Sequence, residues 1–201
     1  MEGIRSQIAE DILDTTRRLY ARGLNSTLSG NISARVDDDR ALLTPSALDK
    51  VRISASELSL MQISTETLLG GPKQTSEYQV HTHIYKAMPE INAVVHPHPQ
   101  YSLAMVDAMG RDKFIKMLKE NDEEFGYYVG SLASLQRMPA GSVQLADAVA
   151  TAVKSGARVV IMEGHGTVGV GKTMQVALSS VESLEHMAQK IFITEMLRRQ
   201  V

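Results

Sequence analysis

Asn92-Ala93-Val94-Val95-His96-Pro97-His98-Pro99 runs an apolar, β-branched stretch straight into two imidazoles. The stretch reads as a buried strand. Side chains alternate across a strand, so His96 and His98 fall on the same side. Two neutral imidazoles on one side can grip one divalent metal. H-x-H taken alone is equally compatible with two half-buried structural histidines. The chain has six histidines, and a third ligand candidate stands in a Gly-flanked turn, Glu163-Gly164-His165-Gly166. Three imidazoles bring no charge. A divalent ion they hold keeps its positive charge for a substrate, as an electrophilic catalyst requires.

Outward from this strand, helices and short strands alternate. From Ser76 a helix runs through Glu77, His81, Ile84 and Tyr85 to Met88, where Pro89 stops it. On the other side, Pro99 opens a helix through Leu103 to Met109. Ile4, Ile8, Ile12, Leu13 and Leu19 mark a first helix that stops at Gly23. Residues 31–36 and 41–44 form a hairpin around the turn Asp37-Asp38-Asp39, with Arg35 bracing it. Ser56 to Ile63 is a strand, and Leu69-Gly70-Gly71-Pro72 a turn or loop. Ser142 caps a helix through Lys154 that ends at Gly156. Residues 158–162 and 167–170 are strands around the His165 turn, and Thr173 caps a long last helix to about residue 198. Residues 111–141 give no clear pattern. Without a regular βαβ period, α+β, or a sandwich with a mostly antiparallel sheet, fits better than a Rossmann fold.

Composition narrows the function classes. A chain of 201 residues, 43% hydrophobic and 22% charged, is expected to form one globular domain over residues 1–201. Net charge is −2, which leaves no broad basic field for nucleic acid. The absence of cysteine excludes disulfides, thiolate metal sites and thiol catalysis. Met1-Glu2-Gly3-Ile4-Arg5 opens a polar amphipathic helix rather than a signal or transit peptide, and no apolar run is long enough to span a membrane. A cytoplasmic location fits these features. The eleven methionines read as core filler.

Four segments then carry a resemblance. Ser29-Gly30-Asn31-Ile32-Ser33 precedes Leu43-Thr44-Pro45-Ser46. Ser76-Glu77 opens the helix of His81 and Tyr85. Val94 to Pro99 follows, and Glu163-Gly164-His165-Gly166 comes last. In this order and spacing the chain resembles the class II aldolase/adducin family over nearly its whole length. The resemblance implies a three-layer α/β/α sandwich and a ring-shaped homotetramer with sites at subunit interfaces. It implies a divalent metal on His96, His98 and His165, generally zinc, although three histidines also accept Mn, Co, Ni or Fe. It implies Glu77 as acid/base, and substrate phosphate held by Gly30, Asn31, Thr44, Ser46, Thr75 and Ser76. The activity implied is that of a lyase on a small sugar phosphate, most simply a fuculose-phosphate-type aldolase forming an enediolate. Epimerase, decarboxylase and dehydratase chemistry are alternatives, as is a non-catalytic adducin-like binding module. A cupin would also use H-x-H, but long helices at both ends speak against an all-β barrel.

Three departures stand out. The family's Thr-Pro-(Ser/Thr)-Gly reads Thr44-Pro45-Ser46-Ala47, and Leu28 replaces a small hydroxyl residue. Aldolases of this family place a tyrosine near Gln136-Arg137-Met138-Pro139, where this chain has Arg137. Arginine stays charged at neutral pH and can only bind an anion there, a phosphate or a carboxylate. Protons would then move through Glu77, water, or a tyrosine such as Tyr127 or Tyr128. The chain ending at Val201 is expected to lack the tail that some members fold over the site. His81 is expected behind the site, and His83 and His186 at the surface or in packing.

Overall fold

The computed structural model describes residues 2–198. Met1 and residues 199–201 lie outside the described residues, as do the side chains of Glu2 and Ile4, so the readings made there have no counterpart below. The elements in order are α1 (Glu2–Ala21), β1 (Asn31–Arg35), β2 (Arg40–Leu43), β3 (Ser59–Gln62), β4 (Leu68–Gly70), α2 (Tyr78–Ala87), β5 (Ala93–His96), α3 (Gln100–Met109), α4 (Arg111–Asn121), β6 (Leu132–Leu135), α5 (Val143–Lys154), β7 (Val159–Met162), β8 (Gly166–Gly171) and α6 (Met174–Arg198). The eight strands form one sheet in the order β4-β3-β2-β1-β5-β8-β7-β6. Every pairing is antiparallel except β6 with β7.

Strand alternation divides the interior into two apolar cores, one on each face of the sheet. Ile32, Val95, Val159 and Ile161 face the core shared with α1, α3, α4 and α6. Val94, Val160, Met162 and Val168 face the core under α2 and α5. The result is the α+β, three-layer sandwich expected from the sequence. No helix among the described residues is long and apolar enough to cross a membrane.

Local signals account for most boundaries. Ser142 Oγ accepts from the Leu145 amide, capping α5, and Thr173 Oγ1 accepts from Val176 at the start of α6. Three readings need correction. Residues 55–57 form a single 3₁₀ turn closed by Ser54 and Glu57, so the strand expected from Ser56 begins only at Ser59. The expected loop around Leu69 begins as strand β4, because β3 offers a free edge that local sequence does not reveal. The unplaced region contains α4, a π-helical turn at Phe125–Val129 and β6. In α4 only Phe114 and Leu118 are buried, which is too sparse a stripe to read from the sequence.

Candidate metal centre

The site gathers at one end of the central strands. β5 delivers His96 at its last position. His98 lies beyond the strand end, so strand alternation does not aim it. Its backbone amide donates to the Leu24 carbonyl and to Asn25 Oδ1, and this anchorage turns the ring inward. The two imidazoles meet with Nε2 atoms 3.1 Å apart. The turn between β7 and β8 supplies His165, held by its amide on the Met162 carbonyl. Centroids of the three rings are 4.8, 5.0 and 5.2 Å apart.

Glu77 enters from the start of α2. Its carboxylate does not cap that helix; it is buried, with Oε2 3.1 Å from His96 Nε2 and Oε1 3.1 Å from His165 Nε2. One ligand atom from each of Glu77, His96, His98 and His165 lies within 4.8 Å of the others, the only such group among the described residues.

The donor set fits a divalent cation. His96 Nδ1 is 2.7 Å from the Thr167 carbonyl, which can only accept, so Nδ1 carries a proton and Nε2 is the atom available to a metal. Burial, then the neighbouring His96 and His165, lower His98 to about 3, so this ring is a neutral donor at pH 7. Burial would raise Glu77, but ring N–H groups of His165 and His96 turned toward its oxygens, or a cation in their place, favour the anion and lower it. Lone pairs and an anion so close together need a cation or extra protons between them. Glu77 Oε1 and His165 Nδ1 are moreover buried without a hydrogen-bond partner.

Two glycines permit this convergence. A Cβ on Gly166 would stand 2.6 Å from His96 Cε1 and 2.9 Å from His98 Cδ2. Gly164 has φ +68°, and a Cβ there would strike the Arg137 guanidinium. Arg137 thus lies over the His165 turn of its own chain, with its residue surface exposed.

The remaining expected residues fall near one another. Ser46 donates its amide to the Lys73 carbonyl and Thr75 to that of Thr44, so the two hydroxyl-rich loops pair, and exposed Ser76 precedes Glu77. Gly30 is buried against the His96 carbonyl. Two side chains of this set already carry buried hydrogen bonds of their own. Asn31 spends both ends of its amide on Glu77 and His81. Thr44 is fully buried, its hydroxyl accepting from the Ile32 amide. Tyr127 and Tyr128 are not at this chain's site: Arg158, at the end of β7 opposite the His165 turn, binds their carbonyls. Arg35 donates to the Asp38, Tyr85 and Ile91 carbonyls, as a brace of the hairpin should. His83 bridges Glu66 and Asp147 between α2 and α5, and His186 is exposed.

Sequence reasoning passed over two residues. Glu163, two positions before His165, is fixed by Ser134 and Arg111. Lys50 is 6% exposed, and among the described residues no carboxylate pairs with it. Its ammonium donates to the Leu28 carbonyl in the loop before Gly30. Burial lowers its pKa, and its charge contributes to the depression of His98. No local pattern marks a lysine as buried.

An α+β sandwich that closes three imidazoles and a carboxylate over its strand ends has the architecture and the ligands of a metalloenzyme. The chain belongs to the class II aldolase and adducin N-terminal domain family, whose model matches residues 10–192. It is 32% identical over 183 residues to the 3-oxo-tetronate 4-phosphate decarboxylase of Haemophilus influenzae, covering 89% of this chain and 83% of that protein. It is 29% identical over 188 residues to the L-fuculose phosphate aldolase of Methanococcus maripaludis, covering 94% and 98%. The crystal structure of a sugar-phosphate aldolase from Thermotoga maritima superposes with a TM-score of 0.83 at 26% identity, over 95% of this chain and 96% of that one.

Proposed function

We propose that the protein is a divalent-metal-dependent lyase that cleaves a carbon–carbon bond in a small sugar phosphate, with Glu77 as its acid/base. The observation that carries this reading is the cluster of His96, His98, His165 and Glu77 within 4.8 Å. His96, His98 and His165 would hold the metal, zinc by the nature of three neutral nitrogen ligands. When bound, such an ion supplies Lewis-acid stabilisation of the oxyanion that bond cleavage creates. Glu77 moves the proton at Oε1, the oxygen that faces His165. The loops of Gly30, Ser46, Thr75 and Ser76 receive the phosphate through hydroxyl and backbone donors. Lys50 adds a buried positive charge behind the first of these loops.

Residues 1–201 are proposed as one domain, which the continuous sheet supports, and as a cytoplasmic one. The reading also carries over the homotetramer, for which light scattering at micromolar concentration is the check.

A decarboxylase is the second reading. Two observations favour it: the likeness to the Haemophilus influenzae decarboxylase, and a guanidinium over Gly164 beside His165. Arginine binds a carboxylate in a planar, two-pronged fashion. Assays of the metal-loaded protein with L-fuculose 1-phosphate and with a 3-oxo-tetronate 4-phosphate separate the two, by aldehyde and by CO2 release. In either case Glu77→Gln should keep the fold and lose about two orders of magnitude in turnover. Near wild-type turnover in that variant would make Glu77 structural.

A further inference from the structure

Glu77 is tied to a buried file of polar side chains that the chemistry above leaves unused. Asn31 Nδ2 donates to Glu77 Oε2 at 3.0 Å, and Asn31 Oδ1 is 2.5 Å from His81 Nε2. His81 Nδ1 is 2.6 Å from Ser33 Oγ, which is 2.7 Å from the Tyr85 hydroxyl. His81 and Ser33 have no exposed surface and Tyr85 has 2%. The fold lines them up simply. Asn31 and Ser33 alternate onto one face of β1, and Glu77, His81 and Tyr85 recur every four residues along α2.

The direction of every hydrogen bond in this file is forced from both ends. Among the described residues the Tyr85 hydroxyl has one side-chain partner, Ser33, and a buried phenol that fails to donate leaves its proton unpaired. Ser33 therefore accepts from Tyr85 and gives its own proton to His81 Nδ1. The His81 proton then sits on Nε2 and goes to Asn31 Oδ1. At the far end an ionised Glu77 only accepts, so Asn31 must turn its NH₂ toward it. Reversing the file would set Asn31 Oδ1 against a carboxylate oxygen and orphan the Tyr85 proton. Burial lowers His81 to about 3, consistent with a neutral ring.

We propose that Tyr85, Ser33, His81 and Asn31 form a one-directional hydrogen-bond file that fixes the rotamer of Glu77 and occupies its Oε2, leaving Oε1 as the working oxygen. These are positioning residues, and the inference rests on the reading of Glu77 as acid/base. The file is not a proton wire. A side-chain amide does not hand a proton on, so Glu77 exchanges protons only on its Oε1 side.

The test begins with ¹⁵N imidazole NMR of the full-length wild-type protein. His81 should show a protonated Nε2 and an unprotonated Nδ1, unchanged from pH 6 to pH 9. In kinetics with L-fuculose 1-phosphate, His81→Leu should retain metal, hold KM within about twofold and lose about tenfold or more in kcat. His81→Gln, which restores one acceptor and one donor, should recover most of that loss. An Nδ1–H tautomer, an imidazolium at pH 7, or wild-type turnover in His81→Leu overturns the proposal. Undiminished turnover in Glu77→Gln overturns the proposed function instead, and the tautomer is read without any substrate.

Discussion

Gly166 is pressed against the ring of His96 so closely that an added methyl would lie 2.6 Å from Cε1. The contact joins the first residue of β8 to the last of β5, and the Pro97 carbonyl crosses the same gap to accept from the Thr167 amide. The imidazoles can converge only because this position carries no side chain.

Gly166→Ala should therefore disorder the metal site while sparing the sheet. Metal content should fall at least as far as in His98→Ala, with far-UV circular dichroism unchanged. Full metal occupancy in Gly166→Ala would mean that the two rings relax apart without loss.

Acid should weaken the fold through His81. An unfolded histidine takes up its proton near pH 6.5, whereas the folded ring does so only near 3. Between these values the unfolded state binds more protons, so stability falls as pH falls, by about 1.4 kcal/mol per unit. Denaturation at pH 7 and pH 5 should cost wild type roughly 2 kcal/mol more than His81→Gln. Equal losses in the two proteins would assign the acid sensitivity to other groups.

Ala47 adopts φ +57°, the left-handed region that costs a residue with a Cβ about 1 kcal/mol. The departure from the family's glycine is therefore a strained one. Ala47→Gly should gain roughly 0.5 kcal/mol after the entropy cost of glycine in the unfolded chain. The denaturation midpoint measures this, and a lowered midpoint would show that the alanine methyl makes a compensating contact.

Charge should govern substrate affinity more than turnover. Lys50→Met should raise KM for a phosphorylated substrate about tenfold, the scale of one charged hydrogen bond. Arg137→Lys should raise KM more than it lowers kcat, because it weakens ground-state and transition-state binding alike. Wild-type kinetics in Arg137→Ala would leave the guanidinium as a cover for the Gly164 turn alone.

By itself the sequence determined what depends on neighbours in the chain. The two-residue period of Ala93 to His96, the caps Ser142 and Thr173, and the glycines around His165 are local chemistry, and they placed strands, helices and three imidazoles in order. Tertiary structure decided what depends on residues far apart. His98 points inward because Leu24 and Asn25 hold its backbone, not because a strand aims it. Asn31 meets Glu77 and His81, which lie 46 and 50 positions away, and no local pattern announces that contact. β4 exists because β3 has a free edge, and the buried Lys50 finds its acceptor in the Leu28 carbonyl, 22 positions back. Burial and hydrogen-bond partners are properties of packing, and a linear pattern carries them only where the same few residues supply both sides of the contact.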